Sequence, residues 1–226
     1  MSKYKYSIYT GLLIIILLLT TPYVWKLFCI LFMSSKVPVL SQLELYKWVA
    51  TGMLIAFIVG RYMNRNMKWL QTFSHELTHI VVALLFFRKV HSFQAEEECG
   101  AVITSSTTEK GIIPMALAPY CLPIFTYLLL IIRSLIDFHG MWFFDIIVGI
   151  TLAFHISCFK HQTSPHQTDI NQYPIFFSYT YIYVARVINC CIIVVAFFPG
   201  YNVFTSTWRL LCAMYENIIV SYEWIF

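Results

Sequence analysis

Charge is what this chain has least of: Asp, Glu, Lys and Arg make up only 12% of its 226 residues, and the formal net charge is +4. The basic residues are scattered, so nucleic-acid binding lacks the clustered positive face it needs. No glycine-rich phosphate loop occurs, which removes the commonest seat for a nucleotide. Seven cysteines are present, an odd number without a Cys-x-x-Cys pair. That argues against a disulfide framework and against a cysteine zinc site. Most of them stand in apolar runs, where cysteine serves as a small core hydrophobe. Internal repeats and low-complexity linkers are missing as well, so one domain suffices.

What fills the chain instead is apolar: 59% of it is hydrophobic and 18% aromatic. That balance describes an integral membrane protein, with Trp and Tyr for belts at the two interfaces. Six apolar segments, each near the ~20 residues a spanning helix needs, cover about 9–33, 46–60, 69–87, 112–135, 141–159 and 175–198. The first is interrupted by Pro22 and Lys26. It resembles a signal peptide but has no small-x-small cleavage site, so an uncleaved first span is expected. Residues 201–226 are amphipathic and predict an interfacial or docked helix. Between the third and fourth segments, 89–94 and 101–105 alternate around Glu96-Glu97-Glu98-Cys99-Gly100, the pattern of a β-hairpin. The expected fold is all-α and polytopic, with about six transmembrane helices and this small β-hairpin after the third. By region, 1–68 holds two N-terminal transmembrane segments and a basic loop, 69–198 a membrane core, and 199–226 the tail.

Inside the third segment stands His75-Glu76-Leu77-Thr78-His79. A spacing of four puts His75 and His79 on one face of a helix, one turn apart, where both imidazoles can reach one tetrahedral zinc ion. Glu76 lies beside them, placed to take a proton from water that the metal activates. The plain alternative is a pair of helix-surface histidines at an interface with no metal. Imidazole and carboxylate are costly among apolar surroundings, however, and need a reason to be there. A hydrolytic site wants a third protein ligand. The candidates are Asp169, His91, His139, His155, His161 and His166, with Asp145 as an outsider; Asp169 could equally be a helix cap. Arg186, in the last span, reads as half of a structural ion pair with Asp145 or Asp169.

These residues, His75-Glu76-Leu77-Thr78-His79, the hairpin with Gly100, the segment Ala118-Pro119-Tyr120-Cys121-Leu122-Pro123 and the late Thr168-Asp169-Ile170, resemble the site-2 protease family of intramembrane zinc metalloproteases. Within that family they are similar to its compact bacterial branch. The likeness covers about 69–198. It implies Zn2+ held by His75, His79 and Asp169, Glu76 as the general base, and a multi-pass protein of the bacterial cell membrane. The chain lacks the family's Asn-Pro-x-x-x-Leu-Asp-Gly motif, so the substrate-shaping roles of that motif are not carried over. If every segment crossed fully, Asp169 would start from the far side. It meets the histidines near mid-membrane or through a broken segment, for which Pro114, Pro119 and Pro123 mark a site. His155 and His161 are the fallback ligands.

The expected function is an intramembrane zinc metalloprotease. It hydrolyses peptide bonds in or near the bilayer, in a transmembrane or membrane-adjacent peptide, with membrane lipid around it and no nucleic acid. A substrate helix must unwind first, and the hairpin's edge could pair with it; an ordinary extramembrane hairpin is the other reading. From a different class comes a non-catalytic membrane binding or scaffold protein with a structural or vestigial zinc site. A third option is a peptidase for soluble or lipid-modified peptide ends.

Overall fold

The computed structural model describes residues 3–32, 39–62, 66–96, 100–104, 111–136, 141–198 and 200–225. Apolar sequence gives the backbone few polar partners but itself, so it winds into helices. In chain order these are α1 (Lys3–Phe32), α2 (Val39–Tyr62), α3 (Asn66–Leu85), α4 (Ile112–Leu117), α5 (Ile124–Leu135), α6 (Met141–Gln162), α7 (Thr168–Asn171), α8 (Ile175–Val195) and α9 (Val203–Ile225). A two-stranded sheet, β1 (Val90–Ala95) and β2 (Gly100–Thr104), stands between α3 and α4.

Six spans were expected; among the described residues, three helices are long and apolar enough to cross a membrane. They are α1, α6 and α8, and a fourth span is added if the bent pair 112–120 and 124–135 counts as one. The apolar part of α2, Tyr46–Gly60, is shorter than the crossing helices, and α3 is not among them. Lys68, Gln71, His75, Glu76 and His79 give α3 a polar side that an unbroken apolar run does not have. Pro22 does not interrupt the first segment; it is taken inside α1, which continues to Phe32.

The hairpin forms as its alternation predicts. β1 and β2 pair antiparallel with Ala95 opposite Gly100 and Phe93 opposite Val102, and the register shifts between Val90 and Ser92. The expected turn residues Glu97, Glu98 and Cys99 lie outside the described residues. What aims the hairpin is the end of α3, where Phe87 takes a left-handed conformation (φ 56°). The Arg88 N–H then returns to the Ala83 carbonyl at 2.9 Å and the Phe87 N–H to that of Leu84 at 2.9 Å, closing the helix as a Schellman motif. Both strands pack against α3.

Two features hold the helices around the site. Where α2 crosses α6, a Cβ on Gly52 would stand 1.9 Å from the Ile146 carbonyl oxygen, and one on Gly149 would stand 2.1 Å from that of Val49. Only glycine lets two backbones come that close. The other feature is the proline-marked break. After α4 the chain tightens into a single 3₁₀ turn, Ala118–Tyr120, and bends by 91° into α5. The groups freed there are met from α8 and α6. Arg186 Nε donates to the Tyr120 carbonyl at 2.9 Å, and Asn189 Nδ2 to that of Cys121 at 3.0 Å. The Phe125 N–H donates to His155 Nε2 at 3.2 Å.

Arg186 therefore does not form the ion pair expected of it. Its guanidinium also reaches Thr163 Oγ1 at 2.6 Å, and Asp145 is paired instead with Arg133 Nε at 2.8 Å. A guanidinium carries five donors, enough to serve several acceptors around one break. Within the tail, α9 is a helix packed against its neighbours. Asn202 Oδ1 caps α9 by accepting from the N–H groups of Phe204 and Thr205, and α9 packs on α1, α5 and α8.

Candidate metal centre

One turn of α3 separates His75 from His79, and their rings meet edge-on with centroids 4.9 Å apart. Asp169, in the single turn of α7, comes to face both. Its Oδ2 lies 3.4 Å from His75 Nε2 and 3.3 Å from His79 Nε2. Bonds of about 2.0–2.1 Å to a tetrahedral zinc put neighbouring ligand atoms roughly 3.3–3.4 Å apart, the separation that each histidine nitrogen keeps from the carboxylate oxygen, and all three atoms lie within 4.8 Å of one another. The three residues form a group that could hold a metal ion, and it is the one such group among the described residues.

The outward nitrogens are tied down. His79 Nδ1 stands 2.8 Å from the Met115 carbonyl, which can only accept, so Nδ1 carries a proton and Nε2 is the nitrogen left to face Asp169. For His75 the partner is Gln162 Oε1 at 3.4 Å, and the amide of Gln162 is oriented by donating to the Gln71 carbonyl. Both imidazoles thus turn Nε2 toward Asp169. Burial works to raise the Asp169 carboxyl, but hydrogen bonds from His75 and His79 outweigh it and hold the group well below the usual carboxylate range. The Tyr120 hydroxyl donates to the same Oδ2 at 3.3 Å.

Glu76 is 7% exposed and shares a cavity of about 700 Å³ with the three residues. In α3, which is not one of the crossing helices, burial pushes its carboxyl up, and the two histidines pull it back only in part. β2 contributes a wall, with Gly100, Ala101, Val102 and Thr104 lining the cavity. A Cβ on Gly100 would fall 2.3 Å from Glu76 Oε1, so the strand starts directly against the carboxylate.

The fallback ligands go elsewhere. His155 is buried among Phe125, Phe154 and Phe159 and serves the break in the backbone; His91, His161 and His166 are outside the group. His139 lies outside the described residues. The obstacle of Asp169 on the far side disappears, because α4 and its 3₁₀ turn come back against α3, and α4 also meets α7, before the chain bends away. Sequence reading missed the supporting positions Met115, Gln162 and Tyr120. Only Tyr120 had a signal, standing between two prolines where a polar side chain has little other use.

A family model described as Peptidase M50B-like matches residues 48–167. The match begins in α2, upstream of where the sequence likeness was drawn, and ends two residues before Asp169. No curated protein and no solved structure matches the chain. Taking in more than half of the sequence, with the His-Glu-x-x-His helix, the hairpin and the broken helix inside it, this match shows that the chain belongs to the Peptidase M50B-like family, the site-2 protease family of membrane proteins.

Proposed function

We propose that this protein is an intramembrane zinc metalloprotease that cuts peptide bonds in or near the bilayer in membrane-bound substrates. The observation that carries the proposal is the convergence of two histidine nitrogens on one carboxylate oxygen, at 3.3 and 3.4 Å, beside a buried glutamate and an open cavity. Two imidazoles and a carboxylate suit zinc, and three donors rather than four among the described residues leave the open position of a catalytic site. Zinc bound there would acidify water toward neutrality and polarise a scissile carbonyl.

The remaining work falls to the chain's own residues. Glu76 takes the proton from the attacking water and delivers it to the leaving nitrogen. Its burial supports that role, since a carboxyl raised toward neutral pH is a better base. β2, which lines the cavity, can hold the substrate extended by main-chain hydrogen bonds. A helical substrate has its carbonyls engaged and its flanks shielded, so it must unwind to lie there. Helix-breaking residues near the cut should therefore speed cleavage.

Zinc content per chain, measured on detergent-purified protein never exposed to chelator, tests the reading directly. Wild type should hold about one zinc, and His79→Ala and Asp169→Ala should hold none. A wild type without zinc overturns the proposal.

A further inference from the structure

Tyr120 is fully buried at the end of the 3₁₀ turn. Its ring stands edge-on to His75 with centroids 5.1 Å apart, its carbonyl is held by Arg186, and its hydroxyl donates to Asp169 Oδ2. It is not among the residues that line the cavity, and its side chain has no exposed surface. Whatever it does, it does through its neighbours. A tyrosine that merely filled space would need only its ring.

From this geometry we infer that Tyr120 is a positioning residue for the third metal ligand, an inference that rests on the metalloprotease reading above. The oxygen it meets is the one that faces both histidines. A carboxylate oxygen has two lone-pair sites. The hydroxyl occupies one, which leaves the other pointing at the metal and fixes the plane of the carboxylate. Without it Asp169, carried on a helix of four residues, is free to turn or to offer either oxygen. The break in α4–α5 acquires a purpose by the same route. It is the bend that brings Tyr120 between α3 and α7, and Arg186 holds it there.

The experiment is zinc affinity, read by chelator competition on the full chain in detergent, beside the thermal midpoint of the metal-free protein. Tyr120→Phe keeps the ring and should weaken zinc about 10–100-fold, the usual loss for a partner of a metal ligand. The metal-free midpoint should stay close to that of wild type. Tyr127→Phe is the control: it removes another buried hydroxyl at the same break, one that donates to Asn189 and not to Asp169. Its zinc affinity should stay within about twofold of wild type. In turnover, Tyr120→Phe should lower kcat and leave KM unchanged. If that variant does not fold, p-aminophenylalanine and p-methylphenylalanine placed at position 120 settle the matter. Both fill the hydroxyl's space, and only the first can donate and should keep zinc tight.

Wild type that binds no zinc overturns the metalloprotease reading and this inference with it. Wild type that binds zinc, with Tyr120→Phe matching it or with Tyr127→Phe falling equally, overturns the inference alone.

Discussion

The α2–α6 crossing and the α3–α7 site lie a few turns apart along the same chain and are built on opposite terms. At the crossing two glycines let backbones touch, so that close packing does the holding. At the site shape is given up: a helix breaks, a one-turn helix intrudes, and polar partners meet the groups set free. The difference teaches where each tolerates change. The crossing should fail by not folding, and the site by folding without chemistry.

The largest expected effect separates those two failures. Glu76→Gln keeps the volume and leaves His75, His79 and Asp169 in place, so zinc should remain at the wild-type level. Cleavage of a membrane-peptide reporter should fall by about 10²–10⁴-fold or more, the contribution typical of a general base. Retained turnover would remove Glu76 from the reaction.

Next comes the crossing. Gly149→Val places a Cβ against the Val49 carbonyl, and backbone cannot step aside as a side chain can. Overpacking of this kind costs about 1–3 kcal/mol, and the two glycines facing each other put this case at the high end. The yield of folded protein and its midpoint in a detergent melt should drop. The fraction that does fold should still bind zinc. If folded Gly149→Val protein lost its zinc, the two regions would not be separate.

A smaller loss tests the polar side of the comparison. Asn189→Leu keeps about the same volume while leaving the Cys121 carbonyl without its donor and the Tyr127 hydroxyl without its acceptor. Each unsatisfied group costs about 1–3 kcal/mol, partly recovered by relaxation. A thermal midpoint equal to that of wild type would show that packing, not polar partners, holds the break.

How much of this was legible follows from distance along the chain. His75, Glu76 and His79 declare themselves because helix periodicity is local. The break was legible too, since Pro114, Pro119 and Pro123 each remove a donor. Asp169 was one candidate among several, put first mainly by the family likeness; nothing in its own neighbourhood tells a ligand from a cap. Arg186 was misread because a buried charge suggests an opposite charge, whereas the freed carbonyls it serves exist only once the helix has bent. Gly52 and Gly149 were passed over for a similar reason. Each is an ordinary glycine in its own helix, and only the crossing gives them a role. Of the six expected spans, three or four are long and apolar enough among the described residues, and segment length alone does not show that α3 keeps a polar side for the site.

The smallest expected effect is the sharpest probe of the contrast, because it asks the same question of a third glycine. A Cβ on Gly100 would meet Glu76 Oε1 at 2.3 Å, a closer approach than can stand. The atoms it meets, Oε1, Cδ and Cγ, all belong to the Glu76 side chain and none to backbone as at Gly149, so a rotation of that side chain can make room. Gly100→Ala should therefore fold with a midpoint within about 1 kcal/mol of wild type, as a change away from packed backbone does. It should also bind zinc as before, since neither histidine nor Asp169 is displaced. What must move is the carboxylate, and a misplacement of about 1 Å in a reacting group can cost up to 10²-fold in rate. Normal stability and normal zinc with slowed cleavage is the expected outcome, with the loss in kcat. A variant as active as wild type would mean that Glu76 does not work from the position it holds against β2. A variant that fails to fold would make the hairpin contact a structural one, on the same terms as the α2–α6 crossing.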